Sequence, residues 1–220
     1  MDAQKNIILS FDLDFTLIDN REGIIKSFNY ALEKYHLPQF ANKEIEKMIG
    51  TPLDIMFSKV TDLDPIPLCS AFREYYVHKG IYQVKLLPGV KELLSELNKW
   101  FALGVVTSKK EEIAKNLLNY LKIDQYFDFI LGETDQRKSK SDPKLIQYLL
   151  KKYKGSKFVI IGDTPHDREL AEVLKCPFIG VLTGMHSHED LKSNKKKVKN
   201  LILNNVSEIT RQKIYSLFQI

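Results

Sequence analysis

The sequence has no uninterrupted apolar stretch long enough to cross a bilayer, which argues against a membrane-spanning chain. Its start, "MDAQKN", has no basic region, apolar core or cleavage site, so the expectation is a cytoplasmic protein without a secretory leader. Cysteine is scarce. Cys69 and Cys176 stand alone, with no C-x-x-C, so neither a disulfide framework nor a thiolate zinc site is expected, and both are read as small buried apolar residues. The lysine-rich stretch "KSNKKKVKN", residues 192–200, has no interleaved aromatic residues and no nucleic-acid module around it. It is read as a solvated surface segment that helps to attract anionic substrates, and no nucleic-acid partner is expected.

What is present is an ordinary globular composition: 220 residues, 44% hydrophobic, 28% charged, net charge +5. That length holds one large domain, or a core with a smaller insert. From Pro88-Gly89 onward, helical segments alternate with short apolar runs: "FALGVVTS", "FDFILG", "KFVIIGD" and "PFIGVLT". This pattern predicts an α/β fold, a three-layer core with a mainly parallel sheet. Ile7 to Phe11 is a further strand of the same kind, but a helical stretch separates it from the rest. Within that stretch Ile24, Ile25, Phe28, Ala31, Leu32 and Tyr35 form one helical face, and Asn42, Thr51-Pro52 and Asp64-Pro65 mark further helix starts. The predicted organisation is a catalytic core of residues 1–19 and 85–220, with a helical cap of residues 20–84 inserted after the first strand. Phe28, Phe72 and Tyr75 are read as packing residues of the insert. Residues 184–200 are expected as loop with one helical turn, and "VSEITRQKIYSLF" as a last helix capped by Ser207.

Chemistry is expected at the carboxyl ends of the strands. The first strand ends in "FDLDFTLID", which places Asp12, Asp14 and Thr16 there. "FALGVV" leads into Thr107, Ser108 and Lys109, and "KFVII" into Gly162, Asp163, Thr164 and Asp167. The loop "ETDQRKSKSDP" adds Lys138, Lys140 and Lys144. An all-oxygen site with one ammonium suits Mg²⁺ together with phosphate. A lone Asp-x-Asp after a strand is usually a turn or a cap. The second acidic cluster, "GDTPHD", favours a metal site. Plain alternatives stand beside other residues: Thr107 as a helix cap, Asp167 as a surface acid, Asp19 as the start of a linker. His166, His186 and His188 are read as bystanders or solvated loop residues.

The set "DLDFT", "VVTS", "KSDP" and "GDTPHD", in this order, resembles the haloacid dehalogenase superfamily. Within it, the set looks most like the phosphoglycolate phosphatase-like hydrolases with a helical cap. The resemblance implies Asp12 as nucleophile, Asp14 as general acid/base, Thr107 as a phosphoryl contact and Lys140 as its charge partner. It implies Mg²⁺ held by Asp12, the main-chain carbonyl of Asp14 and Asp163, with Asp167 beside it. Thr16, Ser108 and, in the cap loop "MIGTPL", Thr51 are expected to contact substrate. The implied function is Mg²⁺-dependent hydrolysis of a small phosphomonoester, such as phosphoglycolate, a nucleotide, a sugar phosphate or pyrophosphate, through an aspartyl-phosphate. Partners would be a small phosphorylated metabolite and, as a monomer or homodimer, at most a second copy. A phosphomutase of the same superfamily is the alternative, and a phospho-accepting receiver-type module a weaker one. Two positions depart from the family. Phe15 stands where glycine usually follows the second aspartate, so the turn must change path or accept strain. Lys140-Ser141-Asp142-Pro143 replaces the common Lys-Pro-x-Pro.

Overall fold

The computed structural model describes residues 6–49, 51–137, 140, 142–192 and 198–218. They fall into two compact units: one within residues 1–18 and 86–220, the other Asp19–Lys85.

The first unit is built on a sheet of six strands. These are β1 (Ile7–Phe11), β4 (Ala102–Lys110), β5 (Phe129–Glu133), β6 (Lys157–Gly162), β7 (Phe178–Val181) and β8 (Asn200–Leu203), in the order β5-β4-β1-β6-β7-β8. Every pairing between them is parallel. β1 lies at the centre and all five of its residues are buried, as expected of a strand covered on both faces. The chain runs outward from β1 to β4 and β5, then returns to the other side of β1 with β6. That reversal opens a crevice at the carboxyl ends of β4, β1 and β6.

Helices α5 (Val90–Leu97), α6 (Glu111–Tyr120), α7 (Pro143–Lys152), α8 (Pro165–Leu174), α9 (His188–Leu191) and α10 (Arg211–Phe218) complete this unit. They cover both sides of the sheet. On one side Leu145 and Leu149 of α7 and Leu170 and Ala171 of α8 join Ile8, Val106, Phe129, Ile160 and Phe178 in a single cluster. Start signals place two helices where the site needs them. Asp142 accepts from the Lys144 amide at 2.8 Å with Pro143 as the first helical residue. Thr164 and Asp167 form a reciprocal capping box at the start of α8.

Within residues 184–200 the expected helical turn is α9. β8, which begins at Asn200 at the end of that stretch, was not anticipated, because "LIL" is a short apolar run without alternation. One expectation fails near the C-terminus. Ser207 does not cap the last helix: it sits in a single 3-10 turn, and α10 starts at Arg211, where Thr210 Oγ1 accepts from the Lys213 amide at 3.2 Å. The lysine stretch 192–200 falls largely outside the described residues, as does Gly50. Cys69 and Cys176 are free and buried. Among the described residues no helix is long and apolar enough to cross a membrane.

The second unit holds α1 (Arg21–Lys34), α2 (Asn42–Met48), α3 (Leu53–Ser58) and α4 (Pro65–His78). The excursion leaves through β2 (Ile18–Asp19) and returns through β3 (Lys85–Leu86), which pair with each other. Asp64 caps α4 as expected, accepting from the Ile66 amide at 3.0 Å. Asn42 is the first residue of α2 but supplies no side-chain cap. Phe28, Leu32, Ile45, Phe57, Leu68 and Phe72 make its core, and Phe28 and Phe57 stack with centroids 4.3 Å apart. Tyr35, placed on the buried face by periodicity, is exposed. Truncating Phe28 removes the stack and leaves a cavity. Phe28→Ala should destabilise the helical unit by about 3–5 kcal/mol, read as an earlier denaturant transition.

Candidate active site

Each strand that faces the crevice delivers a polar side chain. Asp12 directly follows β1, and its amide donates to Ile161 O at 2.8 Å, which ties it to β6. Asp163 directly follows β6. Thr107 lies within β4, four residues before α6 begins at Glu111, so it is no helix cap. The β4–β5 register shifts between Val106 and Lys110, and Thr107 Oγ1 accepts from the Lys109 amide at 3.2 Å inside that irregularity.

The centre of the site is Lys140. Its Nζ lies 2.5 Å from Asp12 Oδ1 and 2.7 Å from Asp167 Oδ1, and all three residues are buried. The second oxygen of Asp167 accepts from the hydroxyl of Thr164 at 2.6 Å and from its amide at 3.2 Å. Asp167 is therefore an interior residue with both oxygens engaged. Lys144 is an exposed residue of α7, and Lys138 lies outside the described residues. Thr16, fully buried, donates to Asp163 Oδ1 at 3.0 Å, so here its hydroxyl supports an acidic side chain. Ser108 is exposed. Thr51 belongs to the helical unit, where its amide donates to Met48 O at 3.0 Å. His166 is exposed and pairs with Glu169 at 3.3 Å, and His188 is exposed on α9.

The sequence reading passed over three features. Lys109 Nζ lies 3.2 Å from Asp14 Oδ2, which gives the half-buried Asp14 its own cation. Gly162 and Gly184 leave space for carboxylates: a Cβ on Gly184 would stand 1.9 Å from Asp163 Oδ2, and one on Gly162 2.2 Å from Asp167 Cγ. Thr183 donates to the carbonyl of Phe15. Thr183 and Gly184 follow the end of β7, so the strand-end rule that located the other residues also pointed to them. Phe15 accepts strain. Its φ is 59°, which costs a bulky L-residue about 1–2 kcal/mol.

Burial raises Asp12 from 3.8 to about 7, against the opposing charge of Lys140. Burial also raises Asp163, to about 8, with Asp12 and Asp167 adding to the effect. Lys140 is itself buried, but the charges of Asp12 and Asp167 outweigh that and hold it more firmly protonated than usual. Carboxylates thus outnumber ammonium groups at this edge. Asp12, Asp163 and Asp167 each offer an oxygen within 4.8 Å of the others. A hard divalent cation fits that all-oxygen donor set and the uncompensated negative charge.

Comparison with known proteins gives this geometry its context. The family model described as haloacid dehalogenase-like hydrolase matches residues 8–181. The chain is 30% identical to the pyrophosphatase PpaX of Bacillus cereus over 160 residues, covering 71% of this chain and 74% of that protein. It is 30% identical to the probable phosphatase IndB of Dickeya dadantii over 216 residues, covering 92% and 91% of the two. Among solved structures it is similar to a predicted phosphatase from Clostridium acetobutylicum, with a TM-score of 0.74, 32% identity and coverage of 96% and 98%. A haloacid dehalogenase-like family hydrolase from Streptococcus pneumoniae superposes with a TM-score of 0.77, 25% identity and coverage of 99% and 100%. The chain belongs to the haloacid dehalogenase-like hydrolases. It is a hydrolase acting on phosphate esters, of a family that generally uses a divalent metal.

The raised carboxylates set a pH dependence. The folded state holds protons on Asp12 and Asp163 that the unfolded chain releases near 3.8, so metal-free stability should fall as pH rises from there toward 8. A divalent cation bound there would replace those protons. Calorimetry should therefore show Mg²⁺ raising Tm more at about pH 8 than at about pH 5. Asp163→Asn should shrink that increment, and an equal rise at both pH values would contradict the assignment.

Proposed function

We propose that this hydrolase is a Mg²⁺-dependent phosphatase that cleaves a small phosphate ester through an aspartyl-phosphate. The observation that carries the reading is the buried cluster of Asp12, Asp163 and Asp167 at the carboxyl edge of the sheet, with Lys140 paired to Asp12 and Asp167. Asp12, the main-chain carbonyl of Asp14 and Asp163 would hold the Mg²⁺, with Asp167 beside it. Once bound, the cation would offset the repulsion between a carboxylate nucleophile and an anionic phosphoryl group.

The chain's own groups divide the remaining work. Lys140 binds Asp12 through Oδ1, which leaves Oδ2 as the attacking oxygen. That oxygen bonds to phosphorus while the bond from phosphorus to the leaving oxygen breaks, and Asp14 gives the leaving oxygen its proton. Asp14 then takes a proton from water, the water oxygen attacks phosphorus, and the bond to Asp12 breaks to release phosphate. Lys140 and Thr107 flank the transferred group, the lysine as a point charge. Asp167 fixes Lys140, Thr16 fixes Asp163, and Lys109 fixes Asp14.

The helical unit Asp19–Lys85 serves as a cap that admits small substrates, with Thr51 and Ser108 as substrate contacts. Similarity to pyrophosphatases named PpaX makes pyrophosphate the first compound to test, followed by phosphoglycolate, nucleotides and sugar phosphates. A phosphate-release screen of these compounds, with and without EDTA, tests the reading. Full activity in a verified metal-free sample would defeat it.

Two variants probe the roles. Lys140→Ala should lower kcat/KM by about 100-fold or more, the scale of losing a charge stabiliser. With an aryl phosphate, whose leaving group needs little protonation, Asp14→Asn should give a burst of about one phenolate per enzyme and then stall with phosphate on the protein. Asp12→Asn should show neither burst nor bound phosphate by rapid quench and intact mass. A burst from Asp12→Asn would overturn the division of roles.

A further inference from the structure

Phe15 occupies the left-handed region, at φ 59°, between two residues of the site. On one side Asp14 pairs with Lys109 at 3.2 Å; on the other Thr16 donates to Asp163 at 3.0 Å. Any relaxation of Phe15 toward negative φ would rotate the adjoining peptide planes and turn both side chains with them. Within the turn the Phe15 amide donates to Ile18 O at 2.8 Å, and the Thr16, Leu17 and Ile18 amides to Leu13 O at 3.4, 2.9 and 3.1 Å. The carbonyl is held from outside, by the hydroxyl of Thr183 at 2.5 Å. Thr183 comes from the far end of the sequence, just past β7, and its neighbour Gly184 makes the space that Asp163 fills.

We propose that Thr183 is a positioning residue for the reaction: its hydroxyl holds the Phe15 carbonyl and thereby keeps Asp14 and Thr16 aimed into the site. A glycine at position 15 would enter the left-handed region at little cost and would not need the bond. The Phe in this chain does need it, since strained backbone persists only where its surroundings over-determine it. One hydrogen bond of ordinary net strength shifts a two-state balance by roughly 2- to 12-fold, enough to decide between the strained and relaxed turn. Relaxing Phe15 would return about as much stability as the lost bond removes. The predicted signature is therefore a change in turnover with little change in melting.

The inference rests on Asp14 and Thr16 serving the phosphatase site, and its test is arranged so that the two readings fail separately. The full chain with Thr183→Val should turn over p-nitrophenyl phosphate with Mg²⁺ about 2- to 12-fold more slowly, with KM and Tm close to wild type. Thr183→Ser, which keeps the hydroxyl, should retain kcat. In the Phe15→Gly background the same valine substitution should cost less than about twofold, because the strain it relieves is gone. Undiminished kcat in Thr183→Val, equal loss in Thr183→Ser, or an unchanged penalty in the Phe15→Gly background would each overturn the proposal. Should Phe15→Gly fail to fold, a crystal structure of Thr183→Val decides. Negative φ at Phe15 is expected there, and a φ still near 59° refutes the latch. An inactive wild type would instead sink the phosphatase reading, and the backbone measurement would still decide this one.

Discussion

One buried ammonium organises the carboxyl edge of this sheet. Lys140 arrives from the segment between β5 and α7, and meets Asp12 at the end of β1 and Asp167 in the first turn of α8. Three segments distant in sequence are thus fixed by a single charge. The constraint propagates further through Asp167, whose second oxygen closes the capping box with Thr164. The start of α8 is set by that box, and Asp163 immediately precedes it. Taking such charges out of water is costly, and their mutual attraction compensates only with good geometry and satisfied hydrogen bonds. Lys140 supplies this for Asp12 and Asp167 but not for Asp163, which accepts from the neutral hydroxyl of Thr16. The imbalance that remains is the physical reason for proposing a cation here.

Crowding carboxylates so closely also dictates where side chains must be absent. Gly162 and Gly184 are required because a Cβ at either would occupy the space of Asp167 or Asp163. At Phe15 the chain took the opposite course and placed a large buried side chain on a backbone conformation suited to glycine. Burial of an aromatic ring stabilises by more than the left-handed conformation costs. The exchange is favourable for folding provided that the turn is restrained, and Thr183 provides the restraint.

Much of this was legible in the sequence because it depends on local pattern. Alternating apolar runs and amphipathic segments reveal the α/β core, and strand ends reveal Asp12, Thr107 and Asp163, since both rules act over a few residues. Phe15 was legible as a conflict: a non-glycine residue where the family turn needs positive φ. β8 was hidden because its "LIL" is too short to show a period. Ser207 and Thr210 are both competent caps three residues apart, and only the packed position of α10 chooses Thr210. The pairings Lys109–Asp14 and Thr183–Phe15 join residues 95 and 168 positions apart. No local signal encodes which donor meets which acceptor over such distances.

In the proposed mechanism the two aspartates of "FDLDF" take different tasks, and their environments differ accordingly. Asp12 is almost wholly buried, and Oδ1 is fixed by an ammonium that is itself fixed by Asp167. That arrangement suits an oxygen that must form one bond in one direction. It would serve a proton carrier badly, because the carrier must reach the leaving oxygen and then a water. Asp14 keeps about a quarter of its side chain exposed (26%), and its lysine partner stands at 3.2 Å, looser than the 2.5 Å contact on Asp12. That exposure leaves it open to the leaving oxygen and to water in the proposed mechanism. A pleated strand would send the side chains of residues 12 and 14 to the same face. The chain instead leaves β1 after Phe11 and enters the turn whose Phe15 carbonyl accepts from Thr183. The departure from strand geometry is what gives two neighbouring carboxylates different depths, and so different chemistry.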